Sequence, residues 1–291
     1  MNIISIFEKF STQADCVAYL EDVRWNGEPR CPYCNLTNST PMSNEARHHC
    51  NNCKTSFSVT VDTIFHHTHL PLQKWFLAIS LILNAKKGLS ARQLARNLQI
   101  NKNTAWRIAM QVRNAMDETE QSSLLTGIVE ADETYIGGKP RKRHPDDKHP
   151  RGRGTKKTPV VGLIERGGRV KAEVIKKRDL SMKRLSALVR RNVDITNAVL
   201  MTDEFSGYFG IKKFMPHKQI NHRVWYVDGN THTNFIESFW ALLKRGIVGQ
   251  YHKVSLRHLP RYINEFAYRF NHRNRDDIFD LTVARAVGVA V

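Results

Sequence analysis

Apolar positions along this chain change period more than once, and the changes divide it. From Pro71 onward Trp75, Phe76, Ile79, Leu81, Ile82 and Leu83 form an apolar-periodic stretch, and Gly88 follows two lysines, so a helix is expected over 72–87. Ser90 stands three residues before Gln93, a capping-box spacing, and Leu94, Ala95 and Leu98 form the next stripe. Gln99-Ile100-Asn101 makes a short turn with Asn101 as N-cap, after which Ala105, Ile108, Ala109 and Val112 mark another helix. Two short helices joined in this way predict a helix-turn-helix, in which Lys102, Asn103, Thr104 and Arg107 face the major groove of DNA. An ordinary helical hairpin with a solvated polar face is the competing reading.

From residue 127 the runs become short and β-rich. Residues 127–136, 158–165 and 169–176 read as strands, the last two joined by a Gly167-Gly168 turn. Ser181 to Val193 reads as a basic amphipathic helix, Ala198 to Asp203 as an apolar strand, and Thr233 to Arg245 and Leu256 to Phe270 as helices. This order predicts a mixed α/β sheet. The segment 139–157 is rich in Lys, Arg and Pro and supplies no core, so it is expected to be a solvated loop, with ordering on DNA phosphates as the second reading.

Length and charge then narrow the class. A chain of 291 residues is long for one simple core, and 45 Lys and Arg against 27 acidic residues call for a polyanionic partner. The longest apolar run, Trp75 to Leu83, is far short of the ~20 residues of a membrane span, so lipid is the weaker choice. The first ten residues have no signal-peptide pattern, and a cytoplasmic location is expected. Cys31 and Cys34, then Cys50 and Cys53, repeat one C-x2-C spacing, the pattern of a four-thiolate structural zinc ribbon with no open position for chemistry. Cys16 reads as core, and His48 and His49 as bystanders.

Three acids stand out in the second half: Asp132 in the first strand, Asp203 ending a later one, and Glu237 on a helix able to pack beside them. Glu130 shares a strand face with Asp132, while Glu133 and Glu204 neighbour the proposed positions, and spacing does not choose among them. His232 and Asn234 lie close to Glu237, as supporting or DNA-contacting groups or as plain caps. Asn234, Glu237, Trp240, Ala241 and Lys244 share a helix face, with Lys244 two turns from Glu237 and placed to meet a DNA phosphate, and Phe239, Leu242 and Leu243 turned inward.

The segments VEADETYIGG (129–138), VLMTDEFSGY (199–208), HTNFIESFWALLKRG (232–246) and YINEFAYRFNHR (262–273) resemble bacterial insertion-sequence transposases that pair a zinc ribbon with an Asp-Asp-Glu domain. The likeness begins in the ribbon and continues through FSVTVDTIFHHTHLPLQKWFLAI (57–79) with order and spacing kept. It implies a multidomain α/β chain: zinc ribbon over 1–60, helix-turn-helix over 61–120, a ribonuclease-H-like mixed α/β catalytic domain over 127–275 and a tail over 276–291. It also assigns Asp132, Asp203 and Glu237 as metal-binding positions. Two Mg²⁺ ions, or Mn²⁺ in their place, suit such ligands and need no protein nucleophile for phosphodiester cleavage and transfer. The expected partners are double-stranded DNA, as element end and as target, and further copies of the chain assembled on it. A DNA-binding regulator with an inactive second half, and a nuclease that cuts without joining, are the rivals.

Overall fold

The computed structural model describes residues 1–43, 45–118, 123–138, 155–220 and 232–289. Most of the basic segment singled out in the sequence, residues 139–154, lies outside the described residues. The chain divides into two compact units, one of residues up to Asp117 together with those from Asn274 on, the other Glu118–Arg273.

The first unit opens with helix α1 (Ile3–Lys9) and helix α2 (Gln13–Trp25), the latter started by a complete capping box between Thr12 and Asp15. Three short antiparallel strands follow, β1 (Ser39–Pro41), β2 (His48–Cys50) and β3 (Ser56–Phe57). Helix α3 (Leu72–Asn84) buries Trp75, Phe76, Ala78, Ile79 and Ile82. It ends three residues earlier than its apolar pattern predicts, Ala85 being extended. Helices α4 (Ala91–Leu98) and α5 (Lys102–Ala115) match the expected pair: Ser90 accepts from the Gln93 N–H, Asn101 accepts from the Asn103 N–H, and Gln99 takes the left-handed conformation at the turn. Leu94, Leu98, Ala105, Ile108, Ala109 and Val112 are buried, which leaves Lys102, Asn103, Thr104, Trp106 and Arg107 exposed.

The second unit is a five-stranded sheet with the order β6-β5-β4-β7-β8. Strand β4 is Leu125–Ile136, β5 Thr158–Glu165, β6 Val170–Val174, β7 Val193–Thr202 and β8 His217–Gln219. The pairs β4–β5 and β5–β6 are antiparallel, whereas β4–β7 and β7–β8 are parallel. Gly167 turns the β5–β6 hairpin with φ +74°, a conformation that a side chain disfavours. Helix α6 (Met182–Asn192) covers one face, placing Leu185, Leu188 and Val189 against Val129, Ala131, Val161, Leu163 and Leu200. Helices α7 (Asn234–Gly246) and α8 (Leu259–Asn271) follow, separated by a wider π-helical turn over Ile247–Tyr251. Residues of β4 that alternate with Val129 and Ala131 meet α7, so the sheet lies between two helical layers. The Asn271 side chain accepts from Val170 N at 2.8 Å and donates to Val170 O at 3.1 Å, covering the edge strand β6. This is the ribonuclease-H-like mixed α/β arrangement expected from the sequence. Strand β8, the 3₁₀ segment Ser206–Lys213 and the π turn were not expected from the apolar pattern.

One expectation needs correction. The sequence predicts a tail over 276–291, whereas Ile278–Ala286 form helix α9 in the first unit. Phe279 is fully buried and packs against Phe10 and Phe76, with ring centroids 6.3 and 5.9 Å away. The Tyr19 hydroxyl donates to Asp280, and Arg285 donates to the carbonyls of Ala115 and Asp117. Phe279 and Leu281 carry too short a period for sequence alone to distinguish a core helix from a frayed end.

Phe279→Ala should therefore lower the stability of the first unit by about 3–5 kcal/mol, as expected for emptying a buried aromatic site. Thermal unfolding followed through the ribbon and helix signals checks this; an unchanged melting temperature would remove α9 from the core.

Candidate functional site

Two knuckles with matching backbone hold the four cysteines. Asn35 N–H donates to Cys31 O and Lys54 N–H to Cys50 O, and Asn35 and Lys54 both have positive φ. The sulfurs of Cys31 and Cys53 lie 3.7 Å apart and those of Cys34 and Cys50 3.5 Å apart. Four thiolates around one ion at Zn–S ~2.3 Å have sulfurs separated by roughly 3.8 Å in a tetrahedron, so the donor set fits zinc. The backbone N–H groups of Cys53 and Asn52 pull the Cys50 thiol down to about 6. His48 and His49 take no part: His48 Nε2 lies 3.0 Å from Glu21 Oε1 with its ring against Trp25 and Phe57, and His49 Nδ1 lies 3.4 Å from Ser56 Oγ. Cys16 is buried, as core.

In the second unit the parallel pairing of β4 with β7 sets Ala131 opposite Thr202, so Asp132 and Asp203 leave the ladder side by side. Helix α7 adds Glu237 from its exposed flank, and Thr233 Oγ1 donates to Glu237 Oε1 at 2.9 Å. Asp203 Oδ1 accepts from Phe205 N at 3.0 Å. The indole N–H of Trp240 donates to Asp132 Oδ2 at 3.1 Å. Trp240 reaches that carboxylate because Gly162, opposite Asp132 on β5, has no side chain: a Cβ there would stand 2.6 Å from the indole ring. Burial first, then the charges of Glu133, Asp203 and Glu237, push Asp132 up to about 7. A carboxyl raised by burial and then by neighbouring acids is a place that a cation relieves, and the all-oxygen donor set suits a hard divalent ion. Among the described residues the four thiolates form a group with all donor atoms within 4.8 Å; the three acids are less tightly gathered.

The neighbouring acids have other partners. Glu133 points to the α6 side of the sheet, where Tyr208 O–H donates to its Oε2 at 3.4 Å, and Glu204 is exposed. Glu130, on the Asp132 face, is fully buried and bound by Arg166 and by the first N–H groups of α7. His232 Nδ1 lies 3.2 Å from Glu130 Oε1, and Asn234 is exposed at the start of α7. His217, unnoticed in the sequence, lies with Nε2 2.9 Å from Thr202 Oγ1, whose hydrogen is directed to Asp203 O at 2.8 Å. Burial, then Lys212, holds this imidazole down at about 4 and so neutral, donating from Nε2. The sequence places Trp240 on the Glu237 face, but its bond to Asp132 follows only from the packing of α7 over Gly162, and His217 reaches Thr202 only through the pairing of β7 with β8. Lys244 is exposed on α7, and Phe239 and Leu243 are buried beneath it with Leu242 half-buried.

Comparison with known proteins adds the following. A family model described as the ISXO2-like transposase domain matches residues 124–271, and one described as the transposase zinc-ribbon domain matches residues 11–56. The chain is 27% identical over 277 residues to an uncharacterized protein in transposable element ISH50 of Halobacterium salinarum, covering 89% of this chain and 91% of that one. Among solved structures it is similar to a Mos1 transposase paired-end complex with left transposon end, at 14% identity and TM-score 0.29 over 72% of this chain and 78% of that one. The Mos1 strand transfer complex is similar at 12% identity and TM-score 0.29, over 73% and 74%.

Metal analysis of protein purified without chelator should find about one zinc per chain, and chelation should unfold the ribbon. Asp132 gives a second expectation. Its carboxyl is pushed up to about 7, well above the ordinary aspartate range, so the fold gains stability as pH falls from about 7 towards 4 and bears the full cost of the ionised carboxylate above 7. Without divalent cation, Asp132→Asn should melt higher than wild type at pH 8, with the gain shrinking as pH falls below 7. A pH-independent difference between the two melting curves would contradict this.

Proposed function

Because the chain belongs to the family of ISXO2-like transposase domains, joined here to a transposase zinc ribbon, we propose that it binds the ends of an insertion sequence, hydrolyses a phosphodiester there and joins the freed 3′-hydroxyl to target DNA. The observation that carries this reading is the register that leaves Asp132 and Asp203 adjacent at the end of the parallel ladder, with Glu237 facing them from α7. Asp132, Asp203 and Glu237 would hold Mg²⁺ or Mn²⁺, which would supply Lewis-acid stabilisation for phosphodiester cleavage and transfer.

The chain's own residues orient that set. Trp240 donates to Asp132 Oδ2, Thr233 holds one oxygen of Glu237, and the Phe205 N–H holds one oxygen of Asp203. The exposed Lys244, two turns beyond Glu237, offers a phosphate contact that positions the strand. In the first unit the exposed start of α5, with Lys102, Asn103, Thr104 and Arg107, reads the element end, and the ribbon supports it on a closed zinc site. Two ends brought to one joining reaction call for at least two copies of the chain on DNA.

The test is incubation with Mg²⁺, labelled element ends and a target plasmid. Cutting and joined product are expected from wild type, and Glu237→Gln should lose both by about 10²-fold, as a lost cation contact of roughly 3 kcal/mol implies, while end binding persists. Lys244→Ala should lower activity less and make the remainder less sensitive to salt. Arg107→Ala should weaken binding to ends more than to random duplex. Cutting without joining would turn the reading to a nuclease, no cutting to a regulator, and near wild-type cutting by Glu237→Gln would dismiss the three-carboxylate site.

A further inference from the structure

Helix α7 begins unusually. Its N-cap residue, Thr233, is 2% exposed and makes no side-chain cap, because its hydroxyl is directed to Glu237 Oε1 at 2.9 Å. The N–H groups of its second and third residues are satisfied from another element. Glu130 Oε2, on β4, accepts from Phe235 N at 2.8 Å and from Ile236 N at 3.1 Å. The other oxygen, Oε1, accepts from Arg166 Nε at 2.7 Å and lies 3.2 Å from His232 Nδ1. Arg166 in turn donates from its other arm to His232 O at 3.0 Å, and its backbone N–H bonds Ile128 O at 2.9 Å. One buried carboxylate thus joins the central strand, the end of β5 and the entry to α7.

We propose that Glu130 is a positioning residue of the carboxylate site: by capping α7 from β4 it sets where Glu237 stands relative to Asp132. The inference rests on the carboxylate-site reading above. Glu130 lies two residues before Asp132 on the same strand face, and the N–H groups it holds lie two and one residues before Glu237. The Glu130 carboxylate is fully buried and already holds three protein N–H donors, Phe235 and Ile236 on Oε2 and Arg166 on Oε1, which suits a group spent on structure and not a cation ligand. Burying a charge for helix stability alone would be a costly route, since a local Ser, Thr or Asp cap contributes about as much at the surface. What a local cap cannot do is couple the helix to the strand that carries Asp132. The device lets Thr233 orient Glu237 while Glu130 takes over the capping that Thr233 gives up.

The test uses the full chain without DNA and Mn²⁺ alone as probe, with affinity from the free-Mn²⁺ electron resonance signal and stability from thermal unfolding. Glu130→Gln should weaken Mn²⁺ binding roughly tenfold, the range for lost outer-shell partners of metal ligands, and should also melt lower. Because that variant leaves Arg166 buried without its anion, the second protein is Glu130→Gln combined with Arg166→Met. It should regain most of the melting temperature while Mn²⁺ binding stays weak, and binding to duplex DNA through the first unit should be unchanged in both. Recovery of Mn²⁺ affinity together with stability would reduce Glu130 to a structural group. Loss of Mn²⁺ binding as complete as in Glu237→Gln would make Glu130 a ligand and overturn the proposal. Wild type that binds no Mn²⁺ would sink the carboxylate-site reading itself and this inference with it.

Discussion

Strand β4 is the member on which the second unit depends, and its two edges do different work. On one side it pairs antiparallel with β5 as far as Ile136, and on the other parallel with β7 only as far as Ala131. Past Ala131 one edge is still in the sheet and the other is released, because β7 ends at Thr202 and the chain turns away at Asp203. The carboxylate that follows on each strand therefore emerges at the carboxyl end of a parallel pair, where open α/β sheets leave a crevice. No loop has to fold into place to bring the two acids together.

The helix facing them is held by both kinds of force. Ile236, Phe239, Trp240 and Leu243 bury its apolar stripe, a non-directional attraction that leaves the helix free to slide or rotate by fractions of a turn. The polar contacts remove that freedom: Glu130 closes its first turn, and Trp240 reaches Asp132 through the gap that Gly162 leaves. These contacts are directional and buried, so each misplacement leaves an unpaired polar atom away from water. The same region carries the main electrostatic tension of the unit, an Asp132 pushed up to about 7 by burial and by the acids around it. Sites built for ligands commonly give up stability in this way.

The first unit has a different constraint. Its core contains Phe10, Phe76 and Phe279, residues from the beginning and the end of the chain. Closing so long a loop costs little more entropy than closing a short one, since the cost grows only logarithmically with length. The consequence is an order of events: the helical part of this unit cannot complete its core until the last helix has been made. The ribbon is exempt, because its stability comes from ligation at four local thiolates.

Local patterns were decisive wherever the physics is local. The C-x2-C knuckles, the Ser90 and Asn101 caps, the Gly167 turn and the apolar stripes of α3 to α6 are each set by residues within a few positions of one another, and the structure has them nearly where the sequence predicts. The acids Asp132, Asp203 and Glu237 are legible in the sequence as carboxylates on strands and a helix, but Glu130 is equally legible on the Asp132 strand face. The family resemblance chose among them, and the tertiary structure adds that Glu130's oxygens are spent on Arg166 and on the start of α7, through contacts 36 to 106 residues apart in sequence. The Trp240 bond to Asp132, the Thr233 bond to Glu237, the His217 contact with Thr202 and α9 as core likewise depend on packing. A side chain's chemistry is written in its identity, but its role is set by what desolvates it and what donates to it, and those partners arrive from across the fold.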